Sequence, residues 1–215
     1  MIIVINYGMG NVRSVAKAIE SLGEEVIVSE NPNDLRKADR IVLPGVGSFG
    51  KGICNLKDKG FLEVLKEEVL IKKKPFLGIC LGMQLLAKNS TENGFHEGLG
   101  WVPFEVRKFE FTNFAGSMKF NILKVPHMGW NDISFNENCV LFKRTNKKAC
   151  FYFVHSYYLN ISENNKEFIV ATCDYGLPFV AAIQKDNIFA TQFHPEKSQR
   201  DGLNILSNFI DYQYQ

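Results

Sequence analysis

Two short words in the chain hold residue types that do chemistry together. The first is Gly78-Ile79-Cys80-Leu81-Gly82, where an apolar run from Phe76 gives way to the helical-looking Met83-Gln84-Leu85-Leu86-Ala87. The pattern predicts a nucleophile elbow with Cys in place of Ser. Glycines flank such a nucleophile because a sharp strand-to-helix turn forces backbones together and needs residues without a Cβ. The thiol would stand at the amino end of a helix, where aligned peptide dipoles favour thiolate over thiol. Taken alone, the pentapeptide fits a buried structural Cys at a turn equally well.

The second word supplies a base. A thiol nucleophile wants a basic partner, and the chain has four histidines: His96, His127, His155 and His194. His194 stands apart in Gln192-Phe193-His194-Pro195-Glu196. Proline restricts the preceding residue to extended backbone, so side chains 194 and 196 are expected on one side of the chain. Glu196 would hold one ring nitrogen, leaving the other to face Cys80 and later to protonate a leaving amine. Without Cys80, His-Pro-Glu would read as a loop turn with a solvated acid. His127 and His155 have no ligand partner at usable spacing, so no metal site is expected, and no cofactor.

The elements that must position these words follow from periodicity. Ile2-Ile3-Val4-Ile5 predicts a strand that stops at Tyr7-Gly8-Met9-Gly10, and Val12, Val15, Ala16, Ile19 and Leu22 recur at helical spacing to Gly23. Further strands are expected at 25–29, 40–43 and 76–79, with a helix from Phe61 to about Ile71. Strands separated by helices imply a parallel sheet covered on both faces. The second half changes character. Runs at 102–111, 151–159, 168–173, 179–184 and 188–193 predict antiparallel strands, the last two joined as a hairpin through Lys185-Asp186-Asn187. A helix over about 202–210 ends the pattern. With no linker-like composition and no repeat, residues 1–215 are expected to form one domain.

Bulk properties narrow the class. At 215 residues the chain can bury roughly 70 % of its unfolded surface. The 25 basic and 23 acidic residues nearly cancel, which removes any global field for nucleic acid or anionic lipid. Lys72-Lys73-Lys74 is expected to be the solvated end of a helix. No membrane span or signal peptide is expected, which points to the cytoplasm. Five cysteines at irregular spacing argue against a disulfide framework or zinc site. Cys54, Cys139, Cys150 and Cys173 are expected to be small buried hydrophobes.

Taken together, the elbow and the His-Pro-Glu tripeptide resemble the Cys80, His194, Glu196 triad of class I glutamine amidotransferases. The resemblance implies a flavodoxin-like α/β fold, mostly parallel at its centre with antiparallel strands in the C-terminal half. It also covers the loop Pro44-Gly45-Val46-Gly47-Ser48-Phe49-Gly50 and implies that the N–H groups of Gly47 and Leu81 form an oxyanion hole. Gln84, Ser156 and Tyr157 are implied substrate contacts, alongside His155 in the same strand.

Longer words are similar to the glutaminase subunits of imidazole glycerol phosphate synthase, nearly end to end. They are 78–86, Pro126-His127-Met128-Gly129-Trp130-Asn131, 190–198 and the opening Asn6-Tyr7-Gly8-Met9-Gly10-Asn11. This implies hydrolysis of glutamine and passage of ammonia to a separate (β/α)₈ cyclase subunit. That partner makes imidazole glycerol phosphate and aminoimidazole carboxamide ribotide (AICAR) in histidine biosynthesis. At 215 residues the chain is expected to leave nothing over for a synthase domain. Asn11, Arg13, Met128, Trp130, Asn131 and Lys197 are implied to face the cyclase in a heterodimer.

Three other readings compete with this one. Gly45-Val46-Gly47-Ser48-Phe49-Gly50 formally matches the dinucleotide fingerprint of NAD-dependent oxidoreductases. It follows the third strand, however, and the acids about 20 residues on, Glu63, Glu67 and Glu68, fall within a helix. A paralogue of the same fold would keep the triad and feed another acceptor, such as an enzyme amidating a surface sugar. A non-catalytic binding module has no need of intact Cys80, His194 and Glu196.

Overall fold

A computed structural model describes residues 1–111 and 123–213. The strands of its first half are β1 (Ile2–Ile5), β2 (Val26–Ser29), β3 (Arg40–Gly45), β4 (Phe76–Cys80), β5 (Asn89–Ser90), β6 (His96–Glu97) and β7 (Glu105–Lys108). The later strands are β8 (His127–Asp132), β9 (Ser134–Phe135), β10 (Cys150–His155), β11 (Tyr157–Leu159), β12 (Ile169–Asp174), β13 (Pro178–Lys185) and β14 (Ile188–Thr191). The helices are α1 (Val12–Glu20), α2 (Phe49–Asp58), α3 (Phe61–Leu65), α4 (Leu81–Gln84) and α5 (Gln199–Asp211).

The main sheet has the order β2-β1-β3-β4-β14-β13-β12-β9. It is parallel from β2 to β14 and antiparallel beyond. Successive strand residues point to opposite faces, and the two cores divide accordingly. Ile3, Ile5, Ile41, Leu43 and Phe76 pack with Phe49, Leu56, Phe61 and Leu65 of α2 and α3. Ile2, Val4, Val42, Leu77 and Ile79 pack with Val15 and Ile19 of α1 and Ile205, Leu206 and Phe209 of α5. Each such side chain, fully buried, contributes about 1.5–3 kcal/mol. The helix-on-both-faces arrangement expected from the sequence is therefore present. Among the described residues no helix is long and apolar enough to cross a membrane.

Several elements depart from expectation. The loop expected over 44–50 is shorter, since β3 runs to Gly45 and α2 begins at Phe49. The helix expected over 61–71 is α3 followed by a π-helical stretch, Lys66–Ile71. That stretch turns buried Glu68 toward Lys72 (2.8 Å) and Lys74 (2.7 Å). The Lys72–Lys74 run is thus no merely solvated helix end: Lys74 Nζ also donates to the carbonyls of Leu35 and Arg36. The strand expected over 102–111 shrinks to β7. The run at 151–159 is two strands, because β10 pairs with β8 while β11 pairs with β7. The chain changes sheets at Ser156, whose carbonyl accepts from Phe109 N–H (3.0 Å).

The cysteines also divide differently. Cys139 and Cys173 are buried, but Cys54 and Cys150 are exposed, so the buried-hydrophobe reading fails for those two. Burial, then Asp132 and Asp174, pushes the Cys173 thiol up to about 12, which leaves it inert at neutral pH.

Candidate active site

Strand register brings the separate words together. Gly45 of β3 pairs with Cys80 of β4, so the Val46–Ser48 loop leaves the sheet beside the elbow. On the other side of β4, Thr191 of β14 pairs with Ile79, and the chain continues into Gln192 and His194 at the same edge. Crevices at the carboxyl ends of parallel strands are where sheets of this kind bind ligands.

The elbow has the expected strain. Cys80 has φ 54° and ψ −108°, a left-handed conformation uncommon for a side-chain-bearing residue. A Cβ on Gly82 would lie 1.8 Å from Leu43 O, and one on Gly78 2.8 Å from Gly82 O. Both positions therefore exclude a side chain. The following helix is shorter than the sequence suggests, because α4 is a single turn. The dipole argument for a thiolate loses most of its force in so few peptides, so any negative charge on the sulfur would rest on neighbouring side chains.

His194 supplies one of them. Its Nδ1 lies 2.8 Å from Glu196 Oε1, with both side chains almost wholly buried. The route differs from the expected one: His194 is extended, but Pro195–Lys197 forms a 3₁₀ turn. Glu196 reaches back by folding rather than by strand alternation. The ring is further held where His194 N–H donates to Tyr152 O (2.9 Å) and His194 O accepts from Ser198 Oγ (2.6 Å). Burial opposes protonation, but the Cys80 sulfur and Glu196 outweigh it and push the His194 pKa up to about 10. His194 Nε2 is buried and faces the Cys80 sulfur, whose charge and hydrogen bonding both support the ring's proton. Its proton is thus available to a reacting group beside Cys80. Burial and the nearby Cys80 sulfur push the Tyr7 hydroxyl up, so it stays neutral.

Cys80 opens into a cavity of about 360 Å³ lined by Val46, Gly47, Leu81, Gln84, Glu92, Pro126, Val154, His155, Ser156 and Tyr157. All five residues expected at the oxyanion hole and substrate seat line it: Gly47, Leu81, Gln84, Ser156 and Tyr157. Gln84 Nε2 donates to both Tyr157 O and Gln192 Oε1, each at 2.9 Å. Only its oxygen is left to offer a ligand. Sequence reasoning missed Glu92, whose carboxylate accepts from Phe49 N–H (2.6 Å) at the start of α2. No spacing signal marks it, since only the tertiary fold brings it to the cavity. A larger cleft, about 640 Å³, is lined by Val140, Lys143 and Arg144 and by none of these residues.

His127 and His155, which suggested no ligand set in the sequence, bond to each other: Nδ1 to Nε2, 3.1 Å. His155 Nδ1 reaches Tyr157 O at 2.8 Å. Burial holds His155 at about 3 and His127 at about 4, so both rings are neutral. No group of three or more potential metal ligands occurs among the described residues.

The residues assigned to a partner lie on the surface. The β8–β10 ribbon turns His127, Phe151 and Phe153 inward, while Met128 is 63 % and Trp130 47 % exposed. Lys197 Nζ lies 5.5 Å from the centre of the Tyr152 ring. Asn131 is half-buried and donates to Asp174 O (3.0 Å). Arg13 is exposed. Asn11 is also exposed but has a structural task, since its side chain accepts from Ser14 N–H and caps α1.

A Gly-flanked cysteine at a strand-to-helix turn, beside a buried His–Glu pair on a parallel α/β sheet, has the form of a thiol amidohydrolase site. The Glutamine amidotransferase class-I family profile matches residues 3–212, and the chain belongs to that family. It is 51 % identical to imidazole glycerol phosphate synthase subunit HisH 1 of Campylobacter jejuni (strain RM1221), over 98 % of this chain and 99 % of that protein. It is 48 % identical to the HisH subunit of Geobacter sulfurreducens, over 97 % of each. Among solved structures, PurLQS from Thermotoga maritima superposes with a TM-score of 0.72 at 19 % identity, covering 98 % of this chain and 97 % of the other. The glutaminase domain of Trypanosoma brucei CTPS gives 0.65 at 19 % identity, covering 100 % and 96 %. These two likenesses concern the fold.

Proposed function

We propose that the chain is the glutaminase subunit of an imidazole glycerol phosphate synthase, hydrolysing glutamine to glutamate and ammonia for a separate cyclase. The reading rests on one observation: a Cys80–His194–Glu196 site within a chain about half identical, end to end, to HisH subunits.

In this reading Cys80 Sγ attacks the substrate carboxamide carbon. Charge develops on the carboxamide oxygen, toward the N–H groups of Gly47 and Leu81. His194 gives its proton to the departing nitrogen, and ammonia leaves a thioester on Cys80. His194 then takes a proton from water, which attacks the thioester and frees glutamate. The Glu92 carboxylate suits the substrate's ammonium, and Gln84 Oε1 accepts from substrate N–H. Ser156 and Tyr157 close the amino-acid end of the seat.

Ammonia released to neutral water becomes ammonium, which has no lone pair for attack. A closed passage to the partner preserves the nucleophile, and the exposed Met128 and Trp130 are suited to seal it. The test is complementation of a histidine auxotroph lacking this subunit. The native chain should restore growth, and Cys80→Ala should not. If the native chain fails while hydrolysing glutamine normally in vitro, the ammonia goes to another acceptor.

A further inference from the structure

A single backbone oxygen fixes the polarity of the polar groups behind the nucleophile. Tyr157 O takes Gln84 Nε2 at 2.9 Å and His155 Nδ1 at 2.8 Å. A carbonyl oxygen only accepts, so both neighbours must present N–H to it. Gln84 is therefore oriented, and its second hydrogen goes to Gln192 Oε1 at 2.9 Å. That in turn orients Gln192 and leaves its Nε2 facing Cys80 Sγ at 3.6 Å. Reversing either amide would set like groups against each other in a buried place, because Gln192 is 0 % and Gln84 5 % exposed.

We propose that Gln192 is a further catalytic residue, whose carboxamide N–H holds the Cys80 sulfur while that sulfur is an anion. The inference rests on Cys80 being the nucleophile. Two features of the site call for such a donor. The helix after Cys80 is one turn long and offers few aligned dipoles. His194, another group near the sulfur, must surrender its proton to the leaving amine and cannot hold the sulfur throughout. Gln192 moves no proton, so it stays a donor at every stage: when the thiolate forms, and again when the thioester breaks. Its contact is charge-assisted only when sulfur is ionised, which favours the thiolate over the thiol. His155 supports this arrangement indirectly by sharing the Tyr157 carbonyl.

The test is peptide-resolved iodoacetamide labelling of the full chain across pH. Exposed Cys54 and Cys150 serve as internal references. Gln192→Glu keeps the length and still accepts from Gln84, but presents a carboxylate oxygen to sulfur. Its Cys80 labelling curve should move up by about one pH unit or more, with a roughly 10-fold slower rate at neutral pH. Gln192→Met keeps the bulk and removes the donor, and should shift the curve in the same direction by less. A purely structural role would lower Tm without moving either curve. Unmoved Cys80 midpoints in folded variants overturn the proposal. If native Cys80 resists labelling while Cys54 and Cys150 react, the nucleophile assignment itself fails.

Discussion

His194 Nδ1 and Glu196 Oε1 sit 2.8 Å apart although the chain turns between them. The contact is made in a buried place, so it orients the ring and supports its charge with little solvent screening. Glu196→Gln keeps the shape and removes the charge. Glutamine hydrolysis with the partner present should fall roughly 100-fold or more, chiefly in kcat, by steady-state assay.

The high His194 pKa depends on the sulfur as well as on Glu196. In Cys80→Ala the largest force raising it is gone while burial still lowers it. NMR titration of the ring should give a value well below about 10. An unchanged titration would mean that Glu196 alone sustains the charge.

His127 and His155 carry the opposite sign. Their folded values, about 4 and about 3, lie below the value of about 6.5 expected in the unfolded chain. As pH falls below about 6.5, the unfolded state takes up protons that the folded state refuses, and stability is lost. Each ring contributes a slope of up to about 1.4 kcal/mol per pH unit. Urea unfolding between pH 6.5 and 5 should show a shallower slope for His127→Phe than for the native chain.

Two glycines should behave differently on replacement. Gly82→Ala drives a Cβ to 1.8 Å from Leu43 O, a backbone atom that cannot swing aside. Gly23 has φ +89° but nothing within 4 Å of an added Cβ. Thermal unfolding should show Gly23→Ala costing about 1–2 kcal/mol and Gly82→Ala more than about 4 kcal/mol.

If the proposed cyclase partner docks on this face, Trp130→Ala should weaken its association about 10-fold or more, measured by titration calorimetry. Iodoacetamide labelling of Cys80 in the isolated variant should match the native chain, since Trp130 does not line the cavity.

Local patterns were enough to specify β1 to β4, the elbow and the closeness of Glu196 to His194, but the run at 188–193, expected as an antiparallel strand, also pairs in parallel with β4. They act over a few residues at a time: β-branched runs, glycine spacing, and a proline beside a histidine. How the parts meet was left to long-range packing. The common edge reached by β3, β4 and β14 sets the Val46–Ser48 loop, thiol and imidazole side by side. Packing also split the 151–159 run at Ser156, cut the helix after Cys80 to one turn, and brought Glu92 and Gln192 to the site. Some of these features depend on hydrogen bonds between residues more than 40 positions apart, as with Glu92 to Phe49 and Gln192 to Cys80. Periodicity within a short window carries no trace of them, because the energy that selects them appears only when distant strands share a register.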